Sequence, residues 1–529
     1  QIDSFAPPVG NDDTTIDMRR YEVNVLVDNG QTEGAPVISE QNPTYNNLFG
    51  RLEYEMQGGL LTTHFTNIKC GSLHYANGGY LMIDAHELLE NPNTWRALKR
   101  ALTSNQISLQ PAATMNNGQV LAKSLAPEPI PLNVKVILMG SPDLFYALYY
   151  ADEAFQTLFK VRADFDGTMP NVVGNVNEYA QFIAARCHEE KLLHFDPSGV
   201  GRVVEHGSRL VDNQNKLSTR FGLIADLVRE ASFWAGKNGR SLVTAADVQQ
   251  ALDERLNRAN FYELRTQERI LNEQVFVATA GEVVGQVNGL SVIDMGEYAF
   301  GIPGRLTART YVGDGGVVHI EREIDMSGPI HDKGVLTLNG YLGGKYATES
   351  ALSFAASLTF EQNYAGIDGD SASSTELYAL LSSLGNLPIK QGIAVTGSVN
   401  QRGEIQPIGG VNEKIEGFFK ICAARGLTGE QGVIIPASNV GDLMLSDEVI
   451  TAVSEGNFHI WAITHVDEGI ELLTGVPAGK ADEDGQFEEG TVHHAVQGQL
   501  RNLESKRSGN KEDDDDDEAD EGDEDKEES

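Results

Sequence analysis

Two short apolar runs constrain the fold of this chain more than any other feature. The segment "GGYLMIDAHELL" from Gly78 reads as a strand that ends on a carboxylate, Asp84, and passes into a helical region containing "TWRALKRAL". "VKVILMGSP" from Val134 reads as a second strand followed by a turn. Both runs are too short for buried helices, and helix-forming sequence separates them. Strands of this kind are buried on both faces and pair in parallel sheets flanked by helices. The predicted fold class is therefore multidomain α/β, and 529 residues accommodate two to four domains at roughly 150 residues each.

The texture of the chain changes three times. Residues 1–165 alternate apolar strands and helices. Residues 166–271 carry apolar side chains at the 3.6-residue period, as in "LSTRFGLIADLVREASFWA" and "TAADVQQALDERLNRANFYELRTQERIL", with Thr244 as the expected N-cap of the latter. Residues 272–478 return to short strands with Gly-rich turns, among them "EVVGQVNGLSVI", "GVVHIERE" and "GVIIPA". Residues 479–529 turn polar and acidic and are predicted to form a disordered tail. From Lys511 onward the tail holds 14 acidic and two basic residues, a run that repels itself and packs no core.

Composition excludes several function classes. No apolar run approaches the ~20 residues of a membrane span. The chain starts at Gln1 with no leader pattern, which predicts a processed or truncated chain. Cys70, Cys187 and Cys422 are odd in number and form no CxxC pair, which argues against a disulfide framework or a zinc site and fits a reducing cytosol. The net charge of −37, only part of it in the tail, argues against a general nucleic-acid surface.

The chemistry centres on "GIDGDSASSTELYALLSSLG", which begins at Gly366. Ser371 stands in a Gly/Asp turn just before a helix-forming run. A serine hydroxyl needs a neighbouring base to act as a nucleophile. No GxSxG elbow surrounds it, and His319, His331 and His459 sit in no recognisable motif. A lysine serves as base only when burial lowers its pKa. Lys414, in "IQPIGGVNEKIEGFFKICAARG", follows a double-glycine turn and begins a helix carrying Ile415, Phe418, Phe419 and Ile421. Taken alone it also fits a surface lysine.

Read together, "DGDSAS", "QGIAVTGSVNQRGEIQPIGGVNEKIEGF" and "GVIIPASN" resemble the proteolytic domain of Lon proteases, over about residues 275–473. The resemblance implies Ser371 as nucleophile, Lys414 as general base and Thr396 as a hydroxyl that helps position them. Asp370 stands where the best-known Lon enzymes carry proline, which places the chain near the divergent, LonB-like branches. Asp368 and Asp370 would raise the lysine pKa, and Asp370 would alternatively fix the turn by an Asx-type bond. "AASLTFEQNY" from Ala355 is expected to be a strand that aligns substrate by β-augmentation. The helix N-terminus after Ser371 offers N–H groups for an oxyanion hole.

The same resemblance implies that residues 1–165 are a partial AAA+ α/β module and 166–271 its helical lid. No GxxxxGK[ST] phosphate loop is present; "GYLGGKY" at Gly340 has the wrong spacing. In this group the loop lies upstream of "RRYEVNVLVDN". Asp84 resembles the Walker B carboxylate, with Ala85 where the water-activating Glu usually stands and Glu87 nearby. Ser141 resembles the sensor position, Arg162 or Lys160 an arginine finger, and Arg220 the lid's sensor arginine. The implied protein is a serine endopeptidase, a cytoplasmic homo-hexamer acting on unfolded or damaged polypeptides. ATP and magnesium serve the complete protein, and no metal serves the peptidase step. The alternative is a ring-shaped unfoldase or scaffold with a weak or silent peptidase.

Overall fold

The computed structural model describes residues 21–57, 60–109, 125–296, 298–313, 315–347 and 354–520. The chain divides into two compact units, Gln1–Phe165 and Asp166–Ser529. The start of "RRYEVNVLVDN" and the acidic residues 521–529 lie outside the described residues.

The first unit is built on three parallel strands in the order β1 (Val37–Glu40), β2 (Tyr80–Asp84) and β3 (Lys135–Met139). The central strand buries Leu81 and Ile83 completely. Helix α1 (Pro92–Ser104) covers this core with Trp95, Leu98 and Ala101, spaced on one helical face. The edge strand β3 leaves Ile137 and Met139 about two-fifths exposed, and helix α2 (Pro142–Ala151) buries none of its residues.

The second unit opens with five helices: α3 (Val173–Glu190), α4 (Pro197–Arg209), α5 (Phe221–Lys237), α6 (Ala245–Ala259) and α7 (Phe261–Leu271). The apolar faces of the first four meet on Tyr179, Ile183, Val203, Ile224, Leu227 and Val248, while Ile270 of α7 joins the core with Ile415 and Phe418. Thr244 does cap α6, in a capping box with Asp247.

A seven-stranded mixed sheet follows. Its strands are β4 (Gln286–Asp294), β5 (Ala299–Tyr311), β6 (Gly316–His319), β7 (Ala355–Phe360), β8 (Ile393–Val395), β9 (Gly432–Pro436) and β10 (His459–Ile463). They lie in the order β6-β7-β5-β4-β8-β9-β10. Helix α8 (Pro329–Tyr346) precedes β7, and α9 (Ser373–Gly385) follows it. Eleven of the 13 residues of α9 are buried, so it runs through the interior, and any polar group on it must find a partner there. Helix α10 (Val411–Arg425) packs on the other side against β5.

Two sequence expectations are corrected. Strand β7 does form over "AASLTF", but β6 and β5 pair with both its edges. It has no free edge to offer a peptide, so β-augmentation on this strand is closed. The tail expected to be disordered from residue 479 contains instead helix α12 (Val492–Asp520), which follows α11 (Val466–Thr474). Val492, Val496, Leu500 and Leu503 join the core around α9. They recur at helical spacing, and burial of such side chains stabilises by ~1.5–3 kcal/mol each, which outweighs the polar average of the segment. His493 adds a polar anchor: Tyr346 Oη lies 2.5 Å from its Nδ1, and its Nε2 lies 2.9 Å from Asp467 Oδ1.

Candidate active site

Ser371 lies in the turn before α9, two residues ahead of its first helical residue. The N–H of Ser373 donates to the Asp370 carbonyl, that of Ser374 to Gly397, and that of Gly397 to Ser371. These bonds tie the turn to the segment leaving β8 and hold the serine partly exposed while Ala372 and Ser373 are buried. Any oxyanion donors in this turn must then come from Ser371 or Ala372, since the next two N–H groups are already engaged.

Lys414 stands in the first turn of α10, after Gly410 in the left-handed conformation (φ 67°) that starts the helix. The helix is pressed against β5 at a backbone crossing where only glycine fits. A Cβ on Gly301 would lie 2.0 Å from the Glu413 carbonyl oxygen, and one on Gly417 2.2 Å from the Gly301 carbonyl oxygen. This close approach, with Ile415 and Phe418 fully buried, leaves the lysine 3% exposed.

The Lys414 Nζ lies 3.1 Å from Ser371 Oγ and 3.1 Å from Thr396 Oγ1. Thr396 is buried at the end of β8, where its N–H donates to the Ile434 carbonyl. Burial lowers the Lys414 pKa to about 8, against the opposing pull of the Asp370 and Glu413 carboxylates. The desolvation effect wins, as expected for an amine with no carboxylate in direct contact. Asp370 Oδ2 accepts a hydrogen bond from Ser398 Oγ at 2.9 Å. Exposed Asp368 accepts from the N–H of Gly369. An amine that loses its proton near pH 8, beside a partly exposed hydroxyl, is an arrangement capable of nucleophilic catalysis. A cleft of about 470 Å³ opens alongside, walled by Asp370, Ser398, Lys333, Arg402, Glu404 and Gln406.

The sequence reading missed two parts of this site. Ser398 carried no motif signal of its own. The Arg209 guanidinium, from the last turn of α4, donates to Glu413 Oε1 at 2.7 Å and Glu416 Oε2 at 3.1 Å. It also reaches the Met444 carbonyl at 2.6 Å. The helical segment is thereby clamped to the residue beside Lys414, across more than 200 positions of sequence.

The expected nucleotide residues each have a local setting. The Asp84 carboxylate caps the short helix Ala85–Leu89 by accepting from the N–H groups of His86 and Glu87, and Glu87 is exposed. Ser141 caps α2. Arg162 pairs with Asp164 at 2.6 Å and lies over the Phe145 and Tyr146 rings, and Lys160 is exposed. Arg220 is exposed at the N-cap of α5, in the other compact unit from Asp84. This chain has no GxxxxGK[ST] run to cradle phosphate. The residues present do not fit a nucleotide unaided.

Comparison with known families assigns each region. A LonB-like AAA domain model matches residues 33–166, an archaeal LonB AAA+ ATPase LID domain model residues 194–258, and a Lon protease (S16) C-terminal proteolytic domain model residues 364–474. The "Putative Lon protease homolog" of Escherichia coli K12 is 36% identical over 407 residues, covering 76% of this chain and 68% of that protein.

The chain belongs to the Lon protease family.

A Haemophilus influenzae protein of the same description is 36% identical, over 77% of this chain and 66% of its own length. An "Archaeal Lon protease" of Thermoplasma volcanium is 26% identical, over 81% of this chain and 64% of its own length. This member of the Lon family thus combines a LonB-like AAA domain, a helical LID and a mixed-sheet protease domain. Among the described residues, no helix is long and apolar enough to cross a membrane.

Proposed function

We propose that this chain is a Ser–Lys endopeptidase in which Ser371 is the nucleophile and Lys414 the general base. The observation that carries the proposal is the buried amine 3.1 Å from the serine hydroxyl, its pKa lowered to about 8. The neutral amine takes the Ser371 proton as Oγ attacks a peptide carbonyl carbon. The resulting ammonium returns that proton to the leaving amine, and water then hydrolyses the acyl-serine by the reverse relay. Thr396 keeps the amine directed at Oγ. Extended polypeptide enters through the cleft beside Asp370, and family membership favours unfolded or damaged proteins as substrates of a cytoplasmic hexameric ring. ATP binding belongs, in this reading, to the complete protein.

The test is cleavage of casein by this chain and by Ser371→Ala, with and without ATP and magnesium, together with labelling by a fluorophosphonate probe. Cleavage and labelling lost in the variant, whatever the nucleotide, support the dyad. A folded wild-type chain that neither cleaves nor labels moves the assignment to a ring-shaped unfoldase or scaffold. Cleavage by Ser371→Ala near the wild-type rate refutes the dyad.

A further inference from the structure

The protease domain holds a second polar cluster, made of residues other than Ser371 and Lys414. His319 ends β6, His331 lies in the first turn of α8, and Glu376 lies in the first turn of α9. All three are essentially without solvent exposure. Both imidazoles direct Nε2 at one carboxylate oxygen: Glu376 Oε1 is 2.8 Å from His331 Nε2 and 3.1 Å from His319 Nε2. The rings meet at 65° with centroids 4.6 Å apart, and one donor atom from each residue falls within a 4.8 Å span.

Hydrogen bonding accounts for only one contact of the cluster, that between His331 Nε2 and Glu376 Oε1 at 2.8 Å. Both ring nitrogens of His319, Nδ1 of His331 and Oε2 of Glu376 lack an aligned hydrogen-bond partner among the described residues. Buried polar atoms in native proteins are nearly always satisfied by protein, water or an ion. A further carboxylate supports the same conclusion. Glu321 Oε1 is held by Thr359 Oγ1 at 2.9 Å and the N–H of Phe360 at 2.8 Å, which leaves Oε2 facing His319 Nδ1 at 3.3 Å. A carboxylate behind one imidazole nitrogen fixes the ring so that its other nitrogen faces a metal.

We propose that His319, His331 and Glu376 bind one divalent transition-metal ion of the zinc class, with Glu321 orienting His319. Two imidazoles and one carboxylate form a three-ligand zinc donor set whose fourth position a water molecule completes. Bonds of 2.0–2.1 Å would separate tetrahedral donors by roughly 3.3 Å, which the present spacing reaches with small side-chain shifts. The ion touches no reacting group. It joins β6 and α8 to the helix that displays Ser371, five residues before Glu376, so its role is structural. The proposal stands independently of the peptidase reading.

The experiment is metal analysis of the full chain purified without chelator, followed by cobalt(II) and zinc(II) titration against a chromophoric chelator. The expected result is one ion per chain, visible cobalt d–d bands, and a zinc X-ray absorption spectrum with imidazole and oxygen but no sulfur in the first shell. Zinc raises the melting temperature, EDTA lowers it, and His331→Gln and His319→Gln each weaken binding at least 100-fold while Ser371→Ala does not. A wild-type chain with no stoichiometric metal after saturation overturns the proposal and leaves a buried ion cluster. Equal binding by the folded histidine variants, or sulfur in the first shell, also overturns it. If the variants do not fold, the wild-type spectra decide alone.

Discussion

Lys414 is held as a free amine at pH values where an exposed lysine is charged. Casein cleavage is therefore expected to rise with pH through about 8 and level off above it, one proton being lost in the process. The stability consequence has a definite sign. Between about 8 and the ordinary lysine value of about 10.4, the unfolded chain binds the proton and the native chain does not, so this residue's contribution improves as pH rises. Below 8 its burial penalty is fully present. Lys414→Met is expected to raise the melting temperature at pH 7, by up to about 3 kcal/mol in stability terms, and the gain should vanish near pH 10.5. A gain that stays flat across that range would contradict the low pKa. Thr396→Val should reduce kcat about tenfold or more with little change in KM, and Thr396→Ser should restore most of it.

At the scale of elements, two contacts position Lys414. The backbone crossing of β5 and α10 has no room for a Cβ, so Gly301→Ala should shift Lys414 away from Ser371. Overpacking of this kind costs ~1–3 kcal/mol, and loss of cleavage out of proportion to loss of helical circular dichroism would identify the displacement. Arg209 is the second contact. Arg209→Ala leaves Glu413 and Glu416 without their shared cation and should destabilise by roughly 1–3 kcal/mol. Free carboxylate charge then remains beside Lys414, so the pH profile of cleavage should move upward. An unchanged profile in a folded Arg209→Ala chain would show that the clamp does not reach the amine. Sequence reading singled out Lys414 and the two residues, Ser371 and Thr396, whose hydroxyls the fold brings within 3.1 Å of the lysine amine, because collinear motifs bracket them. It named His319 and His331 but did not join them to Glu376, because the three come from separate elements and no local spacing links them. It missed Arg209 for the same reason: a long-range ion pair leaves no periodicity.

At the scale of the whole molecule, the order of elements was legible from the switch between strand-like and helix-like periods. The C-terminal helix was not. Its four core residues, Val492, Val496, Leu500 and Leu503, do follow a helical repeat, but the acidic run beyond them dominated the average composition. Removal of residues 504–529 should leave the melting temperature nearly unchanged. Removal from Val492 onward should cost more than about 5 kcal/mol and abolish cleavage, as differential scanning fluorimetry and a casein assay would report. Equal stability of the two truncations would mean that the helix contributes nothing to the core.

That helix also sets a schedule. Residues 371 and 414 leave the ribosome well before residue 492, and domains fold as units once their chain has emerged. Until Val492–Leu503 are available, α9 has an uncovered apolar face and the Ser371 turn lacks its full support. Under the proposed Ser–Lys assignment, a nascent chain would therefore carry nucleophile and base in an unassembled state, and cleavage would await the last helix.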